Sequence, residues 1–90
     1  MGTAIIKMKL MPESPNADLK AIEKKAKEII LEDTKSDIKV EIEPIAFGLN
    51  AINLTFAWDE NKEIDSMNDK LKSIPHVSSA EVADFRRALG

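Results

Sequence analysis

Glu43-Pro44-Ile45-Ala46-Phe47-Gly48-Leu49 leads without a break into Asn50-Ala51-Ile52-Asn53-Leu54-Thr55-Phe56-Ala57-Trp58. Pro44 has no backbone donor and a fixed φ, so the ladder of a central strand is not expected to run through it. Gly48 can take φ > 0 and lets the chain reverse. Two extended segments therefore meet at a turn, and Phe47 sits inside it. An aromatic there has two readings. It folds back as a lid on the core, or it stands out as a hydrophobic contact for another protein. Local sequence leaves both open.

On the C-terminal side of the turn, Leu49 to Trp58 alternates: Ile52, Leu54, Phe56 and Trp58 on one face, Ala51, Asn53, Thr55 and Ala57 on the other. The second set is small and mildly polar, which suits a central strand with a quiet outer face. On the N-terminal side, Asp37 to Glu43 alternates with Ile38, Val40 and Ile42 inward and Lys39, Glu41 and Glu43 outward. Outward charges of this kind suit an edge strand guarded against mispairing.

Thr3 to Met11 is a further strand, with Ala4, Ile6, Met8 and Leu10 on one face and Ile5, Lys7, Lys9 and Met11 on the other. Pro12 ends it. Ser14-Pro15-Asn16 offers a helix start, with Ser14 or Asn16 as the cap and Pro15 in the first turn. The helix runs to about Asp33 on the stripe Leu19, Ile22, Ala26, Ile29 and Ile30, opposite a charged face that includes a Glu23–Lys27 pair. That face reads as solvated, with acids interleaved among its lysines. A second helix is expected from caps in Asp59 to Lys62 as far as Ile74, with Ile64, Met67, Leu71 and Ile74 inward and Pro75 as the stop. Val77 to Arg87 closes the chain as a strand whose alternation is the weakest of the four.

Strand, helix, strand, strand, helix, strand is the split βαβ, ferredoxin-like plan of the α+β class. It predicts a four-stranded antiparallel sheet with both helices on one face, and the other face open to solvent or a partner. Ninety residues are expected to form one domain over 1–90.

Composition narrows the function. There is no cysteine, so disulfides and thiolate metal sites are excluded. The N-terminus lacks the charged and cleavable features of a secretion signal, and no apolar run approaches the roughly 18 residues of a membrane span. A cytoplasmic protein is expected. A net charge of −3 argues against broad binding of nucleic-acid phosphates. An RNA-reading sheet would need aromatics on its open face, whereas Phe56 and Trp58 share the core alternation. His76, the one histidine, reads as a loop residue. The acids Asp59, Glu60, Glu63 and Asp65 lack calcium-loop spacing and read as acids favoured at a helix N-terminus. No phosphate-cradling glycine loop, nucleophile–base pair or zinc spacing is present, so neither an enzyme, a cofactor nor a metal is expected.

Two features remain, the Phe47 turn and the basic end Ala83-Asp84-Phe85-Arg86-Arg87-Ala88-Leu89-Gly90. In this plan the last strand runs out at the sheet edge, so Arg86 and Arg87 are expected to extend past it. They read as a solvated tail or as cations that intrude into a partner's anionic site.

Pro44-Ile45-Ala46-Phe47-Gly48-Leu49 resembles the Pro-x-x-[Phe/Tyr]-Gly-[Ile/Leu] turn of the translation elongation factor 1-beta family, in particular its short archaeal form. Val77 to Arg87 is similar to that family's closing strand and basic end, and the match covers essentially the whole chain. The resemblance implies a guanine nucleotide exchange factor, without catalytic chemistry, for elongation factor 1-alpha. It implies no direct nucleic-acid or membrane contact, and a monomer when alone. Partner contact falls by this resemblance on Pro44, Phe47, Gly48, Phe85, Arg86 and Arg87. Phe47 would wedge near the nucleotide pocket, and Arg87 aligns with a lysine that reaches the magnesium and phosphate site. The chain departs from the pattern there, with arginine for lysine and Ala88-Leu89-Gly90 following. The competing reading is a small-molecule-sensing regulatory module of the same fold, since fold does not set function. Such modules use a glycine-bearing loop after the first strand, and here that loop is Pro12-Glu13-Ser14-Pro15.

Overall fold

The computed structural model describes residues 2–87. Its elements follow one another as β1 (Thr3–Pro12), α1 (Leu19–Asp33), β2 (Lys39–Pro44), β3 (Asn50–Asp59), α2 (Asp65–Lys72) and β4 (Val77–Arg87). The strands form one antiparallel sheet in the order β2-β3-β1-β4, a ferredoxin-like arrangement. One face of β1 and β3 supplies Ala4, Ile6, Met8, Leu10, Ile52, Leu54, Phe56 and Trp58 to the core. Ile22, Ala26 and Ile30 of α1 and Met67 and Leu71 of α2 pack against that same face. Period-two and period-three-to-four apolar spacing thus converge on a single layer between sheet and helices. No helix among the described residues is long and apolar enough to cross a membrane.

Several boundaries differ from those expected of the sequence, in each case because another hydrogen bond claims the backbone. Helix α1 begins two to four residues late, its cap at Asp18. Residues 14–17 form a turn closed by Ala17 N–H to Ser14 C=O. The cap is Asp18, whose carboxylate accepts from Lys20 N at 3.1 Å and Ala21 N at 3.2 Å, in place of Ser14 or Asn16. Asp18→Ala is expected to cost about 1 kcal/mol and to lower the melting temperature by about 4–8 °C in a domain of this size. A thermal melt followed by circular dichroism checks it.

Strand β2 begins at Lys39 rather than Asp37. Above that point the hydroxyls of the preceding loop take over its pairing. Thr34 Oγ1 donates to Ala57 C=O at 3.0 Å, and Ser36 Oγ accepts from Ala57 N–H at 2.9 Å. The ladder of β3 is therefore completed by side chains where no strand lies beside it.

Helix α2 starts at Asp65 instead of within residues 59–62. Trp58 is buried and needs a partner for its indole N–H. It takes the Lys62 carbonyl at 3.2 Å, while Asp59 Oδ1 caps a turn by accepting from Asn61 N. Those groups are lost to a helix, and Lys62 Nζ lies 4.9 Å over the Trp58 ring. Of the acidic run, only Asp65 stands in the first helical turn.

The weak alternation of β4 has a cause in pairing with β1. The register shifts between Lys7 and Met8, where Asp84 and Val82 are their partners and Ala83 is left over as a bulge. Arg86 and Arg87 do not extend past the sheet. They pair with Ile5 and Ala4 as the last ladder residues. Pro44 likewise stays in the ladder, as the final residue of an edge strand opposite Asn50, where a missing donor is tolerated. Ile42 was expected inward, yet it is 47% exposed because the helices leave the end of that edge uncovered.

Candidate functional site

The sequence-expected contact residues fall into two groups at opposite ends of the sheet. Pro44, Phe47 and Gly48 lie where β2 ends and β3 begins, whereas Phe85, Arg86 and Arg87 lie where β4 ends against the start of β1. Eight steps along β1, from Ala4 beside Arg87 to Pro12, separate them by about 26 Å at roughly 3.3 Å per residue. The topology keeps them apart.

At the first end, Ile45 N–H donates to Leu49 C=O at 2.7 Å and closes the turn. Within it Ala46–Gly48 forms a short 3₁₀ turn. Phe47 stands at φ 64°, ψ 27° and Gly48 at φ 77°. Glycine takes that conformation freely, and an ideal Cβ there would meet Pro15 only at ordinary contact distance, 3.9 Å. The left-handed region costs a phenylalanine about 1–2 kcal/mol. The strain is not repaid by packing, because Phe47 is 94% exposed. The lid reading is therefore set aside. Strain at an exposed aromatic is the pattern of a contact residue.

His76, at φ 71°, is the other non-glycine residue with positive φ among those described, and it lies at this same end. Its carbonyl accepts from Glu13 N–H at 2.8 Å, and its ring faces Glu13 at 3.6 Å. Pro12 and Pro15 carry no N–H, and the Glu13 N–H between them is taken by His76.

At the second end, Phe85 is half-exposed beside Ile6, and both arginine side chains are 79% exposed. Arg86 Nε meets Asp84 Oδ2 at 2.8 Å and Arg87 Nε meets Glu60 Oε2 at 3.6 Å. Exposed pairs of this kind hold their partners weakly. Both guanidinium groups are thus open to exchange for a stronger anion. Ala88, Leu89 and Gly90 lie outside the described residues.

One cluster went unnoticed in the sequence. Asn53 Nδ2 donates to Glu43 Oε1 at 2.9 Å, and Lys9 Nζ lies 3.9 Å from the same oxygen. The Asn53 hydrogen bond, then the Lys9 charge, hold the Glu43 carboxyl below its ordinary 4.5 against desolvation, with the Lys7 charge as the least contribution. The available signal was an amide in the middle of Ile52-Asn53-Leu54, but its partner sits ten residues away.

Comparison with known proteins adds a second line of observation. The model of the EF-1 guanine nucleotide exchange domain matches residues 5–88. The protein called elongation factor 1-beta in Methanothermobacter thermautotrophicus is 40% identical over 90 residues, 99% of this chain and 100% of that one. Its namesake in Methanobrevibacter smithii is 37% identical with the same coverage. The one in Nanoarchaeum equitans is 38% identical over 82 residues, 90% of this chain and 100% of its own.

Proposed function

This chain belongs to the EF-1 guanine nucleotide exchange domain family, and from that premise we propose that it promotes replacement of GDP by GTP on elongation factor 1-alpha. Its role lies in translation elongation, where family and relatives agree. The chain acts as one exchange domain over residues 1–90, a monomer in the cytoplasm that touches neither nucleic acid nor membrane. It carries out no bond-making of its own. A partner that binds the nucleotide-free GTPase better than the GDP-bound one must weaken GDP by the same factor.

The observation that carries this reading is Phe47, strained in backbone and bare in side chain. No packing within its own domain repays that arrangement, and a receiving pocket on the GTPase would. Arg87 is the second element. Its guanidinium would leave Glu60 for the more concentrated negative charge of a phosphate or of the groups around it. A forked cation on a paired strand differs from an ammonium on a loose tail, so Arg87 acts by competing for anionic oxygens within reach of β4. Because the two ends stand far apart, the GTPase must lie along the sheet's length, which fits an interface of standard size, about 1,600 Å² in total.

The test is stopped-flow release of a fluorescent GDP from elongation factor 1-alpha, with wild type and Arg87→Ala side by side. The wild type is expected to accelerate release. Arg87→Ala should lower the maximal rate by about tenfold, the effect of roughly 1.4 kcal/mol, with an unchanged melting temperature, since an exposed pair contributes little. Absence of both acceleration and binding by the wild type would overturn the reading.

A further inference from the structure

We infer that Asn53, acting through Glu43 and braced by Lys9, is a positioning residue that holds Phe47 in its outward pose. This rests on the exchange reading, with Phe47 as the contact residue.

Phe47 packs against almost nothing, so its position is only as definite as the strand ends that carry it. One of those ends is weak. Strand β2 has a single neighbour, all its side chains but Val40 are exposed, and its last residue is a proline that cannot donate. Glu43, directly before that proline, is the last β2 residue with a side-chain bond to the interior of the sheet. Asn53 on β3 donates to it, and Lys9 on β1 reaches the same oxygen from two strands away. Three adjacent strands are thus tied together on the open face, one residue short of the turn.

The choice of residue at position 53 argues that this tie serves more than stability. Asn53 is 4% exposed and is the single buried polar side chain among the described residues. Its Oδ1 is buried with no hydrogen-bond partner there. Burying an amide with half its capacity unused costs free energy that an apolar side chain of similar shape would not. Asparagine is also among the poorer strand formers. What it gains is direction, because a hydrogen bond to one carboxylate oxygen specifies where the end of β2 sits in a way that apolar contact does not.

Loss of that direction makes the turn sample other poses, and the GTPase must then order it on binding. The cost falls on the concentration needed and spares the rate at saturation. In GDP release from elongation factor 1-alpha, Asn53→Leu is expected to raise the half-saturating concentration about two- to tenfold, the range for ordering one side chain. The maximal rate stays near wild type, and the melting temperature is equal or higher. Glu43→Gln keeps an acceptor for Asn53 and is expected to stay close to wild type. Adding Asn53→Leu to Phe47→Ala should produce no further loss, because the residue being positioned is gone. Independently of any GTPase, the amide NMR signals of residues 46–49 should move in Asn53→Leu while the Trp58 indole signal stays. If Asn53→Leu melts early, Glu43→Ala on the exposed edge provides the same comparison. Wild-type half-saturation with unmoved turn amides would overturn the inference, as would an additive loss in the double variant. A wild type that releases no GDP would sink the exchange reading alone, and the turn amides would then decide the positioning.

Discussion

Phe47→Ala is expected to lower the efficiency of GDP release by about 30-fold or more while the protein melts where the wild type does. The size follows from truncating an aromatic anchor, at least about 2 kcal/mol, with each 1.4 kcal/mol worth a factor of ten. The unchanged stability follows from exposure. The ring is 94% accessible, so its removal opens no cavity and frees no buried partner. Alanine meets the same left-handed backbone with the same Cβ, so the strain at φ 64° is unaltered. Surface changes of this sort stay within about 0.5 kcal/mol. The measurement is a concentration series of exchange with the variant, alongside a thermal melt. A melt lowered by many degrees with exchange retained would make Phe47 a structural residue and remove the contact from the scheme.

Phe56→Ala should give the opposite outcome from the same change of side chain. Phe56 is 2% exposed on β3, directly across from Ile6 of β1, and stands edge-on to Trp58 with ring centroids 6.0 Å apart and planes at 77°. Removing a core phenylalanine costs about 3–5 kcal/mol, a large part of the 5–15 kcal/mol typical of a whole domain. The melting temperature is expected to fall by at least about 12 °C, at 4 °C or more per kcal/mol for this size. A thermal melt measures that fall, urea unfolding followed by Trp58 emission measures the lost free energy, and the indole itself should shift as its edge-on neighbour is lost. An unfolding free energy within about 1 kcal/mol of wild type would mean the site had repacked, contrary to the close packing expected of interiors. The two phenylalanines, nine positions apart in one chain, separate what the domain is made of from what it does.

The same pair shows how far the sequence could be read. For Phe56 the alternation Ile52, Leu54, Phe56, Trp58 sufficed, since burial along a strand repeats every second residue and needs no knowledge of the rest. For Phe47 it did not suffice, since a turn has no period from which to infer the inner side. Cap residues behaved in the same way. Ser14 and Asn16 were acceptable caps by chemistry, but Asp18 holds the place because residues 14–17 close a turn of their own.

From sequence alone came the order of elements, the ferredoxin-like sheet, the core stripes of both helices and the family, because these rest on periodicity and on a local motif that neighbours in the chain already specify. Tertiary structure alone decided that Phe47 faces outward and that Arg86 and Arg87 are ladder residues. It also decided that the two basic and aromatic ends stand about 26 Å apart at 3.3 Å per residue, and that Asn53 grips Glu43. The pose of Phe47 belongs to a turn, which has no period to read. The other three depend on which strand lies beside which, and hydrogen bonds between strands join residues whose distance along the chain carries no local signal.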